Sequence, residues 1–403
     1  MLTFARRFCS IATVNPPGER YAECAGFLAE KLRRLGMVTR VLQPPAAVQA
    51  KLLPGRDDYP RPSVLARWDV SAGRTLHFTG HYDVVPVTAG WKTDPFRPVV
   101  TGDRLIARGA DDMKCACTAA ISAVEAIAAA GARPAWDIEL SFTPDEETGG
   151  ALGLGWLVKS GHVRPDAAVL CEGAGGYKLG YAHKGVLWLE VTVLGKPGHA
   201  CRPAAGVNAL EKACFLIARL KTLEKAYAAR PTAFRMDRPE LKCPTLMIGG
   251  IAGGGGKVNT IPDRFSFTID RRINPEESAS DVRAEIMAVI RAAQRQDPKL
   301  KVRVRTLLHV PPGWTDPAEP FCRLARGAVR AVIGRTPRLR MSPGFTDMHW
   351  LTRDAGTPTV LYGTTGGGAH GDNEYTRIRS MAAAARVYAE IAMRPPADQE
   401  QAR

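Results

Sequence analysis

Several features that identify common classes of protein are missing from this sequence. The chain has nine cysteines, an odd number, and no Cys-x-x-Cys pair, which indicates a reducing compartment without a disulfide framework. No apolar run approaches the ~20 residues of a membrane span. The stretch from Met1 to Arg7 lacks the apolar core of a signal peptide and predicts the start of a helix. We therefore expect a cytoplasmic protein that does not associate with membranes.

Familiar catalytic and nucleotide-binding motifs are also absent. There is no His-Glu-x-x-His helix and no Gly-x-Ser-x-Gly elbow, which excludes the common zincins and serine hydrolases. The run GGGGK at 253–257 lacks the first glycine and the Ser/Thr of a phosphate loop, and we interpret it as a hairpin connection. The run GGGAHG at 366–371 matches Gly-x-Gly-x-x-Gly, but only one helix follows it. Without a βαβ unit, dinucleotide binding is not expected.

The composition is that of a globular enzyme with an excess of positive charge. Its 403 residues are enough for two domains, and a hydrophobic fraction of 45% with 24% charged residues is ordinary for such a protein. The formal net charge is +15, with many arginines between positions 303 and 340. No basic motif is interleaved with aromatics, and no helix-turn-helix or RNA-binding signature is present, so we expect no nucleic-acid partner. The charge fits attraction of anionic substrates better.

The stretch SFTPDEETGG at 141–150 is the centre of our interpretation. Successive side chains of a strand point to opposite faces, so Glu146 and Glu147 cannot both point inward if the strand continues. If the strand ends at Pro144, a turn can direct both at one point. Adjacent carboxylates repel unless a cation or a proton compensates them, which suits a metal site. Taken alone, the stretch is more simply explained as an acidic, solvated turn.

Four strand-like runs end at, or lead into, residues that can bind a metal. They are Thr75 to Gly80 before His81, Ile138 to Phe142 before Glu146 and Glu147, Ala167 to Cys171 before Glu172, and Thr359 to Tyr362 before His370. Strands that alternate with helices predict an α/β protein with a mainly parallel sheet, which binds ligands beyond the carboxyl ends of its strands. Four such endings are therefore better explained by one site than by coincidence.

His81 and the pair Asp111-Asp112 have simpler explanations when each is considered alone. His81 could be a packed histidine, but Asp83 lies two residues on and could hold its second ring nitrogen, as outer-shell carboxylates of metal sites do. Either Asp111 or Asp112 could cap the apolar helix from about Cys115 to Ala130. One aspartate is enough for a cap, which leaves the other for a different role.

A segment with a different order of predicted strands and helices interrupts this pattern. Residues 184–309 show strand-helix-strand twice over, which predicts a small α+β two-layer unit of its own. The predicted helices of this segment are Asn208 to Leu223 and Ala279 to Gln294. Its predicted strands are Val186 to Leu194, Thr245 to Ile251, Arg264 to Arg272 and Leu300 to Leu307. We predict a first domain at 1–183 and 310–403, with an inserted domain at 184–309.

Five motifs in the same order resemble those of the dinuclear zinc amidohydrolases, the family of acetylornithine deacetylase, succinyl-diaminopimelate desuccinylase, aminoacylase and glutamate carboxypeptidase. The motifs are GHYDVVP at 80–86, RGADDMK at 108–114, DEETG at 145–149, Glu172, and Ala369-His370. The resemblance covers nearly the whole chain, from TVNPPG at 13–18 to the last helix. It implies a catalytic α/β domain and an inserted lid domain through which the protein forms a homodimer.

The resemblance also implies a set of metal ligands and two zinc ions, which cobalt can replace. His81, Asp112 and Glu172 would hold one ion, while Asp112, Glu147 and His370 would hold the other, with Asp112 as the bridge. These residue types suit zinc, which accepts histidine nitrogen and carboxylate oxygen.

Further roles follow from the same resemblance. Glu146 would be the general base and Asp83 would orient the first histidine ligand. In the lid, His199 of GKPGHA at 195–200 resembles the histidine that reaches the partner subunit's site and stabilises the oxyanion. Asn259 and Arg272 resemble substrate-binding residues of the family. The chain departs from the family pattern at Cys115-Ala116 and at Gly173-Ala174.

The expected activity is hydrolysis of the amide bond of N-acyl amino acids, which are small molecules with a carboxylate. In the resembling family the position of Glu172 is Glu in most acylases and carboxypeptidases, and Asp in many aminopeptidases and dipeptidases. A dipeptidase or carboxypeptidase on the same scaffold is the alternative. A non-catalytic relative would lack the base or a ligand, and every one of them is present.

Overall fold

The structure is a computed structural model that describes residues 1–53, 59–173 and 175–396. The chain forms two compact units. The first comprises Met1–Ala182, Gly313–Ser342 and the chain from Thr346 onward, and the second comprises His183–Pro312 and Pro343–Phe345. Across the described ranges, no helix has the length and apolar content needed to cross a membrane. A role of the second unit as a lid and dimerisation domain remains a prediction.

Helices and strands alternate along most of the chain. The helices are α1 (Leu2–Cys9), α2 (Tyr21–Arg34), α3 (Ala46–Leu52), α4 (Cys115–Ala129), α5 (Leu154–Lys159), α6 (Ala209–Leu220), α7 (Thr222–Ala228), α8 (Ala279–Gln296), α9 (Pro320–Ile333) and α10 (Ile378–Met393). The strands are β1 (Val38–Leu42), β2 (Ser63–Trp68), β3 (Thr75–His81), β4 (Val99–Thr101), β5 (Arg104–Ile106), β6 (Asp137–Thr143), β7 (Ala167–Leu170), β8 (Lys178–His183), β9 (Gly185–Leu194), β10 (Thr245–Gly254), β11 (Arg264–Ile273), β12 (Lys301–Val310), β13 (Gly313–Trp314), β14 (Arg338–Ser342), β15 (Thr359–Leu361), β16 (Gly366–Gly367) and β17 (Tyr375–Arg377).

The first unit is built on a mixed sheet whose centre is parallel. The strand order is β1-β2-β6-β3-β7-β15-β8-β13, with β14 paired to β8. Strands β6, β3, β7 and β15 pair in parallel, while β1 pairs with β2, β2 with β6, and β15 with β8 in the antiparallel sense. The predicted fold class is therefore confirmed, because the central strands are parallel and helices connect them. A small antiparallel sheet, β16-β17-β5-β4, is a further element of the unit.

Both faces of the central strands are buried. In β7, Ala167 and Val169 belong to a large core cluster with residues of α2, α4, α9 and α10. Ala168 belongs to a separate cluster with Leu154 and Leu157 of α5. Because successive side chains of a strand point to opposite faces, helices cover both sides of the sheet. The carboxyl-end edge of the parallel strands is then where a ligand site can form.

The second unit is an antiparallel four-stranded sheet with helices on one face. The strand order is β10-β11-β9-β12, and α6 and α8 pack together and against these strands. Leu187, Leu189, Val191 and Val193 of β9 alternate into the core with the expected period of two. The helix predicted for Asn208 to Leu223 was wrong in its bounds, since α6 ends at Leu220 and α7 begins at Thr222. The glycine run at 253–257 is only partly a connection, since β10 continues to Gly254.

Candidate metal centre and active site

The loop after β6 directs two glutamates away from the strand. The strand ends at Thr143, and Asp145 adopts a φ of 67°, in the left-handed region that few non-glycine residues occupy. Glu146–Thr148 then form one short helical turn, which ends at Gly149 with a φ of 103°. A tight turn of this kind frees both glutamates from the alternation of the strand. The sequence-based argument that the strand must end before the pair therefore agrees with the structure.

Asp83 holds the glutamate loop in place. Its carboxylate accepts hydrogen bonds from the backbone N–H groups of Glu146 and Glu147, each at 3.2 Å, and from Asn15 Nδ2 at 2.9 Å. His81 Nδ1 lies 3.0 Å from the main-chain carbonyl of Asp83 and 3.4 Å from its carboxylate. The orienting role expected for the Asp83 carboxylate is thus shared with its carbonyl, while the carboxylate mainly fixes the loop.

The two carboxylate oxygens of Asp112 face two different histidines. Its Oδ1 lies 3.1 Å from His81 Nε2, and its Oδ2 lies 3.0 Å from His370 Nε2. His370 Nε2 also lies 3.2 Å from Glu147 Oε2, and His81 Nε2 lies 4.0 Å from Glu146 Oε2. His81, Asp112 and Glu147 each offer a ligand atom within 4.8 Å of the others. Residues from four separate segments of the chain therefore lie close together.

Glu172 lies beside this group, two residues after the end of β7. It lines the same cavity as Asp112, and its buried Oε2 has no hydrogen-bond partner among the described residues. A buried carboxylate oxygen without a partner is costly, because burial disfavours its charged form. Two imidazoles and three carboxylates are a donor set that suits a divalent transition metal. The residues present therefore fit a bound metal.

The titration behaviour of these groups points in the same direction. Burial raises the pKa of Glu147 to about 7, and burial together with Glu172 raises the pKa of Glu146 well above its ordinary value. Hydrogen bonds to Asp112 and Glu147 raise the pKa of His370 to about 10. Burial disfavours ionisation of Asp112, but hydrogen bonds from the two histidines outweigh it and lower its pKa. Such crowding of buried carboxylates is relieved by a cation.

Several residues that support the site have no signal in the sequence. Asp145 forms an ion pair with Arg61 at 3.0 Å and accepts a hydrogen bond from Tyr21 Oη at 3.2 Å. Asp347 is buried, and burial raises its pKa to about 7. A Cβ at Gly150 would lie 1.9 Å from Asp347 Oδ1, so the site requires glycine there. Arg61 and Asp347 are far from the motifs along the chain, so only the folded structure reveals them.

A cavity of about 450 Å³ adjoins the metal-binding residues. Asp111, Asp112 and Glu172 contribute acidic groups to it, and Lys178 and Arg340 contribute basic ones. Lys178 begins β8 and Arg340 lies in β14, which pairs with β8.

The possibility that Asp111 or Asp112 caps α4 is not realised, since the N-cap residue of α4 is Lys114 and no side chain caps it.

The remaining predicted site residues lie in the second unit. His199 forms an isolated bridge with Thr260, and the backbone N–H of Ala200 donates to the carbonyl of Asn259 at 3.0 Å. The loops that carry His199 and Asn259 are therefore neighbours. Arg272 lies near the carboxyl end of β11. There it forms a bidentate ion pair with Asp270, with both N–O distances at 2.9 Å.

Fold and site together define a metal-dependent hydrolase. A mainly parallel α/β unit places two histidines and a group of buried carboxylates at one edge of its sheet. The chain matches the family model described as peptidase family M20/M25/M40 over residues 77–394. It belongs to this family and is a hydrolytic enzyme that acts on amide bonds. The resemblance inferred from the five motifs is confirmed.

Relatives and solved structures agree with this assignment. The chain is 29% identical to succinyl-diaminopimelate desuccinylase of Gluconobacter oxydans (strain 621H), over 83% of this chain and 84% of the relative. It is 30% identical to the enzyme of the same name from Acidiphilium cryptum (strain JF-5), over 78% and 81%. Among structures, the di-peptidase Dug1p of Saccharomyces cerevisiae has a TM-score of 0.80 at 18% identity, covering 97% of this chain and 95% of that one. The M20 metallo-carboxypeptidase Sso-CP2 of Sulfolobus solfataricus has a TM-score of 0.77 at 20% identity, covering 97% and 98%. At these identities the structural likeness shows the fold alone.

Proposed function

We propose that this enzyme is a deacylase that hydrolyses the amide bond of N-acyl amino acids at a centre of two zinc ions. The observation that carries the proposal is the placement of Asp112 between His81 and His370, with one carboxylate oxygen toward each ring. A carboxylate in this position can be shared by two ions. Glu146 lies beside it without being needed as a ligand.

The five donors divide into two sets around Asp112. His81 and Glu172 would complete one set, and Glu147 and His370 the other. Zinc held there would polarise the scissile carbonyl of the substrate and lower the pKa of a bound water. Cobalt accepts the same donor types and is expected to replace zinc.

Glu146 is the proton carrier in this proposal. It is 5% exposed, and its loop is fixed by the two backbone hydrogen bonds to Asp83. A general base must reach the proton that it removes, which requires a loop held in one position. The carboxylate takes a proton from the attacking water and later delivers it to the departing amine. The products are the free carboxylate of the acyl group and the free amine of the amino acid.

The cavity beside the site supports an anionic substrate. Lys178 and Arg340 line it from two paired strands, and both are half-buried. The guanidinium group of arginine matches carboxylate geometry, and both residues carry positive charge at neutral pH. An N-acyl amino acid presents a carboxylate to such a surface and needs no pocket for an amine.

A dipeptidase is the second candidate, and Asp111 is the observation that favours it. This residue lines the same cavity and lies next to the metal-binding Asp112, where it could pair with a free amino group. Lys178 and Arg340 line the same cavity, and these basic groups disfavour a second cation such as a free amino group. The deacylase therefore remains the leading proposal.

A substrate panel tests the choice between these functions. We expect N-acetyl and N-succinyl amino acids to have higher kcat/KM values than unblocked dipeptides or amino-acid amides. Both sets are to be measured under identical zinc or cobalt loading. The Glu146→Gln variant, purified in the same way, controls for contaminating hydrolases. Turnover of free-amine peptides alone would reject the deacylase and select the dipeptidase.

We also propose a homodimer in which the second unit contributes to the site of the partner chain. Strand β10 is an edge of its sheet, with Met247 49% and Ile251 74% exposed. An open apolar edge strand is a surface on which a second chain can pair. From Arg264, the first residue of β11, to Arg272 the strand spans about 27 Å at ~3.4 Å per residue. Asn259 precedes that first residue, and we propose that Asn259 and Arg272 serve different active sites.

His199→Ala should lower kcat by about 10² or more, the scale of a single lost oxyanion donor. The metal content should stay unchanged, because His199 is not among the proposed ligands. If His199 acts across the dimer, mixing His199→Ala chains with Glu146→Gln chains should restore part of the activity. Each hybrid then contains one site with an intact Glu146 and an intact His199. Absence of recovery in verified hybrid dimers would exclude the role in the partner's site.

A further inference from the structure

Glu374 is a buried carboxylate whose two oxygens are both used by the loop that carries Asp112. Its Oε1 accepts hydrogen bonds from the backbone N–H groups of Asp111 at 2.8 Å and Asp112 at 3.0 Å. Its Oε2 accepts from the backbone N–H of Gly109 at 2.9 Å and from Arg108 Nη1 at 2.8 Å. One side chain therefore satisfies three backbone N–H donors of this loop and pairs with a guanidinium.

The backbone of Glu374 is itself anchored. Its carbonyl accepts from the N–H of Ala107 at 3.0 Å, and the next residue begins β17, which pairs with β5. Glu374 also follows His370 by four residues in the same loop. A Cβ at Gly368, whose φ is 77°, would lie 3.2 Å from Glu374 Cα, so the turn that carries His370 is closed against it. The side chain thus joins two loops, each with a proposed metal ligand.

The arrangement repeats what Asp83 does on the other side of the site. Asp83 accepts two backbone N–H groups from the loop of Glu146 and Glu147, and Glu374 accepts three from the loop of Asp112. Both carboxylates are almost completely buried, at 0% and 1% exposure. Ligating loops need such support, because a carboxylate ligand is effective only if its backbone is held in one conformation.

We infer that Glu374 is a positioning residue that sets the affinity of the metal centre by fixing the Asp112 loop relative to His370. Glu374 acts through these loops and not as a ligand, since its four hydrogen bonds occupy both oxygens. The inference rests on the metal centre proposed above and adds a residue outside its ligand set. In this proposal, Glu374 affects how strongly the metal is bound, while other residues are the ligands.

The Glu374→Gln variant keeps the shape of the side chain and changes its hydrogen bonding. An amide has one oxygen acceptor, and its NH₂ group would face N–H donors on one side. We expect the apparent Kd for at least one zinc ion to rise about 10–100-fold, the range seen for outer-shell partners of metal ligands. Competition of the purified protein with a fluorescent zinc chelator measures this directly. The amides of residues 109–112 should also exchange hydrogen faster than in the wild type.

Glu139→Gln is the matched control. Glu139 is equally buried at 1% exposure and pairs with Arg67 at 2.5 Å and His77 at 2.8 Å, and within the described ranges these hydrogen bonds reach no loop with a proposed ligand. Its neutral variant should lose thermal stability while its zinc affinity equals that of the wild type. Glu374→Asp, which keeps the charge and shortens the reach, serves if the glutamine variant does not fold, and it should also bind zinc more weakly.

The outcomes separate the two proposals. Wild-type zinc affinity in folded Glu374→Gln or Glu374→Asp protein would reject the positioning role. An equal loss of affinity in Glu139→Gln would also reject it, because any buried charge would then have the same effect. A wild-type protein that binds no zinc would reject the metal centre itself.

Discussion

Glu146→Gln should lower kcat by about 10²–10⁴-fold, the contribution typical of a general base. The amide is isosteric with the carboxylate, so the loop and its two hydrogen bonds to Asp83 should survive. No proposed ligand is removed, and both zinc ions should remain bound. Steady-state kinetics beside metal analysis of the same preparation give the two readouts.

The neighbouring residue provides the matched control for this result. Glu147→Gln should lower zinc content, because Glu147 Oε2 lies 3.2 Å from His370 Nε2 in the group of proposed ligands. Both glutamates belong to one short turn, so a general disturbance of the loop would affect the two variants alike. Loss of zinc from Glu146→Gln with retention in Glu147→Gln would mean that the two roles are reversed.

Asp112→Ala should lose at least one of the two zinc ions. Each of its carboxylate oxygens faces a different histidine, and of the proposed ligands it alone is shared by both metal sets. Without it, His81 and His370 are left in separate, incomplete sets. Metal content per chain and activity after addition of excess zinc are the measurements, and we expect activity to stay low because no side chain replaces the bridge.

Asp111→Ala is the control for the loss of an acidic residue from this loop. The backbone N–H of Asp111, which donates a hydrogen bond to Glu374, is kept in the variant, so the loop should remain ordered. Its zinc content should match that of the wild type. Two ions in Asp112→Ala would show that the bridge lies elsewhere, and loss of zinc from both variants would point to loop collapse.

Much of the proposed site could be predicted because several of its proposed ligands follow strands. His81 is the last residue of β3, and Glu172 lies two residues after the end of β7. The run of apolar residues marks each strand, and a polar residue at its carboxyl end is visible without any tertiary information. Parallel pairing then brings these ends to one edge. The bounds of the helix predicted between Asn208 and Leu223 were less accurate, because the apolar pattern continues across the boundary at Lys221 between α6 and α7.

By itself, the sequence determined the fold class, which strand-like runs lead into polar residues, and the chemical types of the proposed ligands, since these depend on local periodicity and residue type. Only the tertiary structure decided which backbone groups the buried carboxylates hold. Glu374 reaches Gly109, more than 260 positions away, and Asn15 reaches Asp83. No local pattern marks such contacts, because a buried carboxylate is recognised by the donors that folding brings to it, and these come from distant segments of the chain.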